Sequence, residues 1–372
     1  MSAGQAALAR VAFQRVALQT FRNLERVVFE PAARLNVVAG DNGQGKTSLL
    51  EALYFVATTR SFRTEKHANL VQNGVTQTVV QATIVEGELA REQRTAIVAG
   101  VRRAAINGKR AERLLDYAQK TPVVAFHPGD LELVSGASRV RRRLLDRVAL
   151  FVDPAGYEHR AAYEQAIKGR QRVLEERGER AVELDAYELI AAQHGARYQL
   201  ARAAASQALV QALEPAFARL GTGTLRLVAA YQPGGVGETA AFAAELRARR
   251  TRDRVRRAAT YGPARDELYL ELERQPARTH ASQGQQRILT LALKLAELDC
   301  IARARGALPV LLLDDVSSEL DPTRTGAVYA LLRASASQVF VTTTRPELFT
   351  TPGEHAAERV DWTMKAGVLA AV

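Results

Sequence analysis

Eight consecutive residues, Gly40-Asp41-Asn42-Gly43-Gln44-Gly45-Lys46-Thr47, complete the pattern GxxxxGK[ST]. Each residue type there has a part in holding a nucleotide phosphate. The glycines let the backbone turn tightly, so that successive amide hydrogens can face phosphate oxygens. Lys46 is then placed to reach the β- and γ-phosphates of ATP, and Thr47 to offer a hydroxyl to Mg2+. Such a loop needs an acidic strand, and the chain supplies one near its other end. Val310-Leu311-Leu312-Leu313 has the composition of a buried parallel strand and runs into Asp314 and Asp315. Asp314 is expected to hold Mg2+, directly or through water, and Asp315 to polarise the attacking water. Ser282-Gln283-Gly284-Gln285-Gln286 opens an apolar helix from Ile288 to Leu298 and makes a second anion-binding helix end. One γ-phosphate has no need of two such ends from one chain. Ser282, Gly284 and Gln285 are therefore expected to close the site of a second copy, with ATP bridging the two.

The elements that must position these residues follow from local pattern. Leu35-Asn36-Val37-Val38-Ala39 reads as a strand entering the loop, and Thr47 to Phe55 as the helix leaving it. Residues 75–110 are β-rich, with a hairpin signal at Asn107-Gly108. Between 139 and 258 the texture turns helical, in the segments 155–178, 182–220 and 238–258, interrupted by a β-like patch at Leu225-Arg226-Leu227-Val228 and a turn at Pro233-Gly234-Gly235. From 260 onward α/β character returns, with strands at 309–314 and Val339-Phe340-Val341-Thr342. The expected fold is α/β: a P-loop lobe assembled from residues 1–138 and 259–372, with an inserted, mainly helical lobe at 139–258.

The net charge of +11 favours a polyanionic partner, either nucleic acid or an acidic membrane surface. A single cysteine, Cys300, cannot close an internal disulfide and fits a reducing compartment. No signal peptide and no membrane-length apolar run is visible, so a soluble cytoplasmic protein, associated with the nucleoid and not with a membrane, is expected. Arginine clusters supply the first candidates for phosphate contact: Arg60 and Arg63, then Arg139, Arg141, Arg142 and Arg143. A further set, Arg247 to Arg257, is interspersed with Glu245 and Asp253 and reads in part as a solvated face with ion pairs along the helix. Aromatic content of only 6% argues for duplex-backbone contact over single-strand stacking.

Taken together, these motifs resemble the ABC-type ATPase heads of the structural-maintenance and double-strand-break-repair group, and most closely the RecF DNA replication and repair family. The resemblance covers nearly the whole chain. It takes in Phe21-Arg22-Asn23-Leu24, Arg60-Ser61-Phe62-Arg63-Thr64, His127-Pro128-Gly129-Asp130, Arg141-Arg142-Arg143-Leu144-Leu145-Asp146, Thr260 to Leu268, and Ser317-Ser318-Glu319-Leu320-Asp321 at the D-loop position. It implies a weak, DNA-dependent ATPase that forms a homodimer around ATP and binds duplex or gapped DNA at single-strand/double-strand junctions. It further implies recombinase loading with mediator proteins, and slow hydrolysis that releases the dimer. Two departures from the general ABC pattern stand out. Asp315 replaces the usual Glu, and Thr342-Thr343-Thr344 occupies the place of the switch histidine. Gln72 is read either as the Q-loop residue or as a solvated turn glutamine. A transporter ATPase subunit would share the P-loop but carry a shorter insertion and an LSGGQ-like signature. A scaffold that binds ATP without hydrolysing it would not need both Asp314 and Asp315.

Overall fold

The computed structural model describes residues 8–221, 225–235, 237–315, 330–349 and 358–372. They group into two compact units: Met1–Asp130 with Ile301–Val372, and Leu131–Cys300. The first is thus drawn from both ends of the chain.

Its centre is a six-stranded sheet in the order Val368–Ala371, Arg359–Lys365, Leu35–Ala39, Val339–Thr343, Val310–Asp314, Val123–Phe126. All pairings are parallel except that of the edge strand Val368–Ala371. Three of the inner strands, Leu35–Ala39, Val339–Thr343 and Val310–Asp314, are buried almost end to end. That matches their unbroken apolar sequences and a sheet covered on both faces. The helix Lys46–Thr58 buries eleven of its thirteen residues, Lys46 to Ala57 with the exception of Thr47.

A second, mostly antiparallel sheet winds through Ala9–Phe21, Gln77–Glu86, Leu89–Val98, Val101–Ile106 and Lys109–Arg110, with Leu24–Phe29 paired to the first strand. Alternation in Gln77–Glu86 is regular, one side chain buried and the next half-exposed. Asn107 and Gly108, at φ 49° and 76°, form the tight turn that joins the last two strands. The register slips by one residue between Phe13 and Arg15. There the buried Gln338 takes the place of a strand neighbour, accepting from the Phe13 amide at 2.8 Å and donating to its carbonyl at 3.0 Å. Both sheets and the helix share one apolar core that includes Phe13, Phe21, Leu50, Phe55, Ile84 and Leu312.

The second unit is mainly helical. Ser138–Val152, Arg160–Arg177, the 37-residue helix Glu183–Arg219, Thr239–Ala248 and Arg250–Arg256 surround a three-stranded sheet of Leu227–Gln232, Glu267–Leu272 and Gln275–Pro276. Buried ion pairs tie it together. Arg202 reaches Asp146 at 2.8 Å and Asp266 at 3.0 Å, and Arg170 joins Glu188 and Asp253. These bonds explain why the unit spans 131–300, where the sequence places the insertion at 139–258. Strand Glu267–Leu272 pairs with Leu227–Gln232, and Asp266 is fixed by Arg202 and Gln199. Helix Gln283–Arg305 follows, and Cys300 is buried on it. Among the described residues no helix is long and apolar enough to cross a membrane.

Candidate nucleotide-binding site

Parallel register brings the chemistry to one edge of the sheet. Ala39, the last residue before the loop, pairs with Thr343, and Asp314 pairs with Thr342. Loops at the carboxyl ends of parallel strands form the crevice where such sheets bind ligands. The loop is held from behind by the turn at Arg22-Asn23-Leu24. Asn23 Oδ1 accepts from the Ser48 hydroxyl at 2.7 Å, and Arg22 grips the fully buried Glu51 with two bonds of 2.8 and 2.7 Å. Gly45 sits at φ 113°, and a Cβ there would stand 2.8 Å from Leu24 Cδ2. No other residue fits that position without displacing the turn. The Gln44 side chain is used structurally, accepting from the Ala366 amide at 2.6 Å, and its carbonyl takes the Gly367 amide. Asp41, Asn42 and Gly43 are exposed at the tip.

Lys46 is buried within the loop and donates to the carbonyls of Gly40 at 2.5 Å and Asp41 at 2.8 Å. Burial lowers its pKa, while Asp315, Asp314 and Asp41 oppose the shift. Thr47 donates its hydroxyl to Asp314 Oδ1 at 2.8 Å, which joins the phosphate loop to the acidic strand. The same Oδ1 accepts from the buried Thr342 hydroxyl, also at 2.8 Å. Thr342 in turn accepts from the Asp315 amide at 3.1 Å, and Asp315 adopts a left-handed φ of 49° just where the strand ends. Thr342 therefore ties both carboxylate-bearing residues to the neighbouring strand, a role its place in the Thr342-Thr343-Thr344 run did not disclose.

A hydroxyl and a carboxylate oxygen this close are hard donors that fit Mg2+, which takes one or two protein ligands and fills its octahedron with phosphate and water. Among the described residues no group of three or more His, Cys, Asp or Glu is arranged to hold a metal by protein alone. Gln72 lies in a turn, its amide bonded to the Thr20 carbonyl at 3.0 Å. The Ser317 to Asp321 stretch lies outside the described residues.

In the helical unit, Ser282 caps the helix Gln283–Arg305. Its hydroxyl accepts from the Gln285 amide at 3.3 Å, and its own amide donates to Gln285 Oε1 at 2.8 Å. This is a reciprocal capping box. Gly284 is exposed, and a Cβ there would meet nothing within 4 Å.

The arginines divide. Arg60 and Arg63 are exposed, Arg63 within 3.5 Å of Glu51. Arg139 is exposed and Arg143 half-buried. Arg141 is corrected: only 4% exposed, it holds Glu267 with two bonds of 2.7 and 2.8 Å and donates to the carbonyls of Leu133 and Gly136. Four of its five N–H donors are consumed inside the fold, which leaves it poorly placed to grip a DNA phosphate. Arg142 likewise donates to the Asp266 carbonyl at 2.9 Å. Of the later set, Arg247, Arg249, Arg250 and Arg254 are engaged by Asp185, Glu245, Glu188 and Glu179.

A parallel sheet with a phosphate loop and an acidic strand meeting through Thr47 and Asp314 defines a P-loop protein of the ABC-type ATPase fold. Comparison with known proteins narrows the class. The RecF/RecN/SMC N terminal domain family matches residues 12–364. The DNA replication and repair protein RecF of Myxococcus xanthus (strain DK1622) is 40% identical over 335 residues, covering 87% of this chain and 88% of that protein. A solved structure of the recombination mediator protein RecF-ATP in the RecFOR pathway has a TM-score of 0.86 at 25% identity, covering 99% of both chains. The Pyrococcus furiosus Smc head domain, at 17% identity and a TM-score of 0.55 over 97% of this chain and 96% of that one, shares the fold. The chain belongs to the RecF family of DNA replication and repair proteins.

Proposed function

We propose that this chain is an ATP-dependent DNA-binding protein of recombinational repair and replication-fork maintenance. It dimerises around ATP on DNA at single-strand/double-strand junctions, promotes recombinase loading at gaps with mediator proteins, and hydrolyses ATP slowly to release. The observation that carries the reading is the bond between Thr47 and Asp314, which assembles the phosphate loop and acidic strand into one site. The RecF-ATP relative supports ATP as the nucleotide.

In this reading Lys46 leaves the loop carbonyls for the β- and γ-phosphates, and the amides of Gly40 to Thr47 cradle them. Mg2+ held by Thr47 and Asp314 would neutralise phosphate charge when bound. Asp315 orients the attacking water and takes its proton as the water oxygen bonds to the γ-phosphorus and the bond to the ADP oxygen breaks. Because Asp is one methylene shorter than Glu, water is held less well and turnover is slow. Ser282, Gly284 and Gln285 close the partner's site. The bare surroundings of Gly284 at the helix start, where a Cβ would meet nothing within 4 Å among the described residues, leave room for a partner's phosphate. Arg60, Arg63, Arg139 and Arg143 remain as candidates for DNA contact.

The test is fluorescence anisotropy on a gapped duplex at near-physiological salt, with ATP or ADP and Mg2+. Tighter binding with ATP is expected. Equal binding in both states would reduce the positive charge to a passive surface, and no binding in either would overturn the reading in favour of a scaffold or transporter subunit.

A further inference from the structure

A half-buried arginine in the nucleotide-binding unit, Arg102, has no acid against it among the described residues. Arg102 stands on strand Val101–Ile106 and sends Nη1 to the carbonyl of Thr59 at 2.7 Å, the left-handed residue that ends the helix Lys46–Thr58. The same nitrogen lies 3.2 Å from His67 Nε2. Arg102 Nε is buried and has no hydrogen-bond partner. Capping the helix accounts for one nitrogen of the guanidinium and leaves the rest of its charge uncompensated. Elsewhere in this fold, buried arginines are neutralised. Arg170 and Arg202 each have two carboxylates, and Glu51, the buried acid at the far end of the same loop region, is already taken by Arg22. Among the described residues neither Arg102 nor Arg60 forms an ion pair.

The neighbours add positive charge. Arg60, Arg63 and Lys66 are exposed along the segment that leads to His67. Burial lowers the pKa of Arg102, and Arg60 lowers it further. His67 is lowered by burial, then by Arg102 and Arg60, which fits a neutral ring accepting from Arg102 through Nε2. A half-buried guanidinium that forms no ion pair among the described residues, with Arg60 beside it, is matched by an oxyanion, which can accept two of its donors at once. The exposed basic residues continuing from it suit a chain of phosphates better than a single small anion.

We infer that Arg102, with Arg60 and His67, forms a subsite for one backbone phosphate of bound DNA. The subsite deepens the DNA-binding reading and rests on it. Its signature is electrostatic. Each phosphate neutralised contributes about 0.9 to the slope of log affinity against log salt, whatever the base sequence.

The test uses the full chain with ATP, Mg2+ and a fluorescein-labelled gapped duplex, titrated across a salt series. Arg102→Gln should lower the salt slope by about one and weaken binding roughly five- to tenfold at near-physiological salt, equally on unrelated sequences. Binding of a fluorescent ATP analogue and the melting temperature report whether the variant has folded. Arg60→Gln, at an exposed position, provides the same slope measurement if Arg102→Gln does not fold. An unchanged slope in a folded Arg102→Gln, or in Arg60→Gln if that variant alone folds, would overturn the subsite. If the unaltered chain fails to bind DNA at all, the DNA-binding reading itself falls. If Arg102→Gln loses affinity for inorganic phosphate while its DNA slope is kept, the site takes free phosphate and the DNA assignment is overturned.

Discussion

Replacing Thr342 by valine isolates what its hydroxyl does. The side chain is fully buried between the acidic strand and the P-loop strand, and valine has nearly the same shape, so no cavity opens. Three contacts disappear: the 2.8 Å donation to Asp314, a long 3.4 Å one shared with the Leu313 carbonyl, and the 3.1 Å acceptance from the Asp315 amide. Neither Asp314 nor the Asp315 amide is orphaned, because Asp314 keeps the Thr47 hydroxyl and the Asp315 amide keeps the Thr342 carbonyl at 3.2 Å. The loss is therefore close to that of one bond to a charged group, about 1.5–3 kcal/mol. If that bond holds Asp314 and Asp315 in their working orientation, ATP turnover falls by about tenfold to a hundredfold, at roughly 1.4 kcal/mol per factor of ten. ATP affinity should change much less, since Lys46 and the loop amides are untouched. Thr342→Ser retains the hydroxyl and should restore turnover. Single-turnover hydrolysis, run beside equilibrium binding of a non-hydrolysable analogue, separates the two effects. Thr342→Val turning over at the unaltered rate would refute the positioning role, and so would a loss confined to ATP binding.

Three more perturbations probe other parts of the molecule. Arg141→Met should destabilise the helical unit by about 3 kcal/mol, since a buried pair is broken and Glu267 is stranded. Its DNA salt slope should stay unchanged, and a reduced slope with an unaltered melt would return Arg141 to the DNA surface. Burial would raise the carboxyl of Glu297, but Arg147 and Lys294 hold it at about 2, against an ordinary 4.5. This depressed folded-state value contributes stability that is complete above 4.5 and is lost as pH falls toward 2, on the order of 3 kcal/mol. Glu297→Gln should flatten that part of the pH–stability curve, and parallel curves for the two proteins would contradict the assignment. Ser282→Arg should bind ATP normally yet fail to dimerise with it in sedimentation, and a normal dimer would remove the trans-site model.

What could be read from the sequence was chemistry compressed into contiguous residues. The phosphate loop, its flanking strand and helix, the acidic strand and the Asn107-Gly108 hairpin are each local patterns, and each is in its expected place. Partnerships across long separations were hidden. Arg141 and Glu267 lie 126 positions apart, and an arginine beside two others looks like surface charge until its acid is found. The clamp of Arg22 on Glu51 and the link from Thr342 to Asp314 depend on which strands become neighbours, which no local window contains. The compact helical unit, Leu131–Cys300, reaches beyond the inserted segment read as 139–258 for the same reason. Residues 263–272 look like the return of an α/β lobe, but their hydrogen bonds go to Arg202 and to the strand Leu227–Gln232.

The strand order also dictates a schedule for the ribosome. The P-loop strand Leu35–Ala39 is made before the helical unit, yet both its neighbours, Val339–Thr343 and Arg359–Lys365, are made after it. At about 5–20 residues per second, the nascent loop waits roughly 15–60 s for a sheet to join. The contiguous stretch Leu131–Cys300 can pack meanwhile, as can the local hairpins of residues 77–110. A message cut between the codons for Arg305 and Val339 would thus release a protein whose helical unit is finished and whose P-loop strand lacks both of its sheet neighbours. Completion of this sheet therefore waits on strands made only after the whole helical unit.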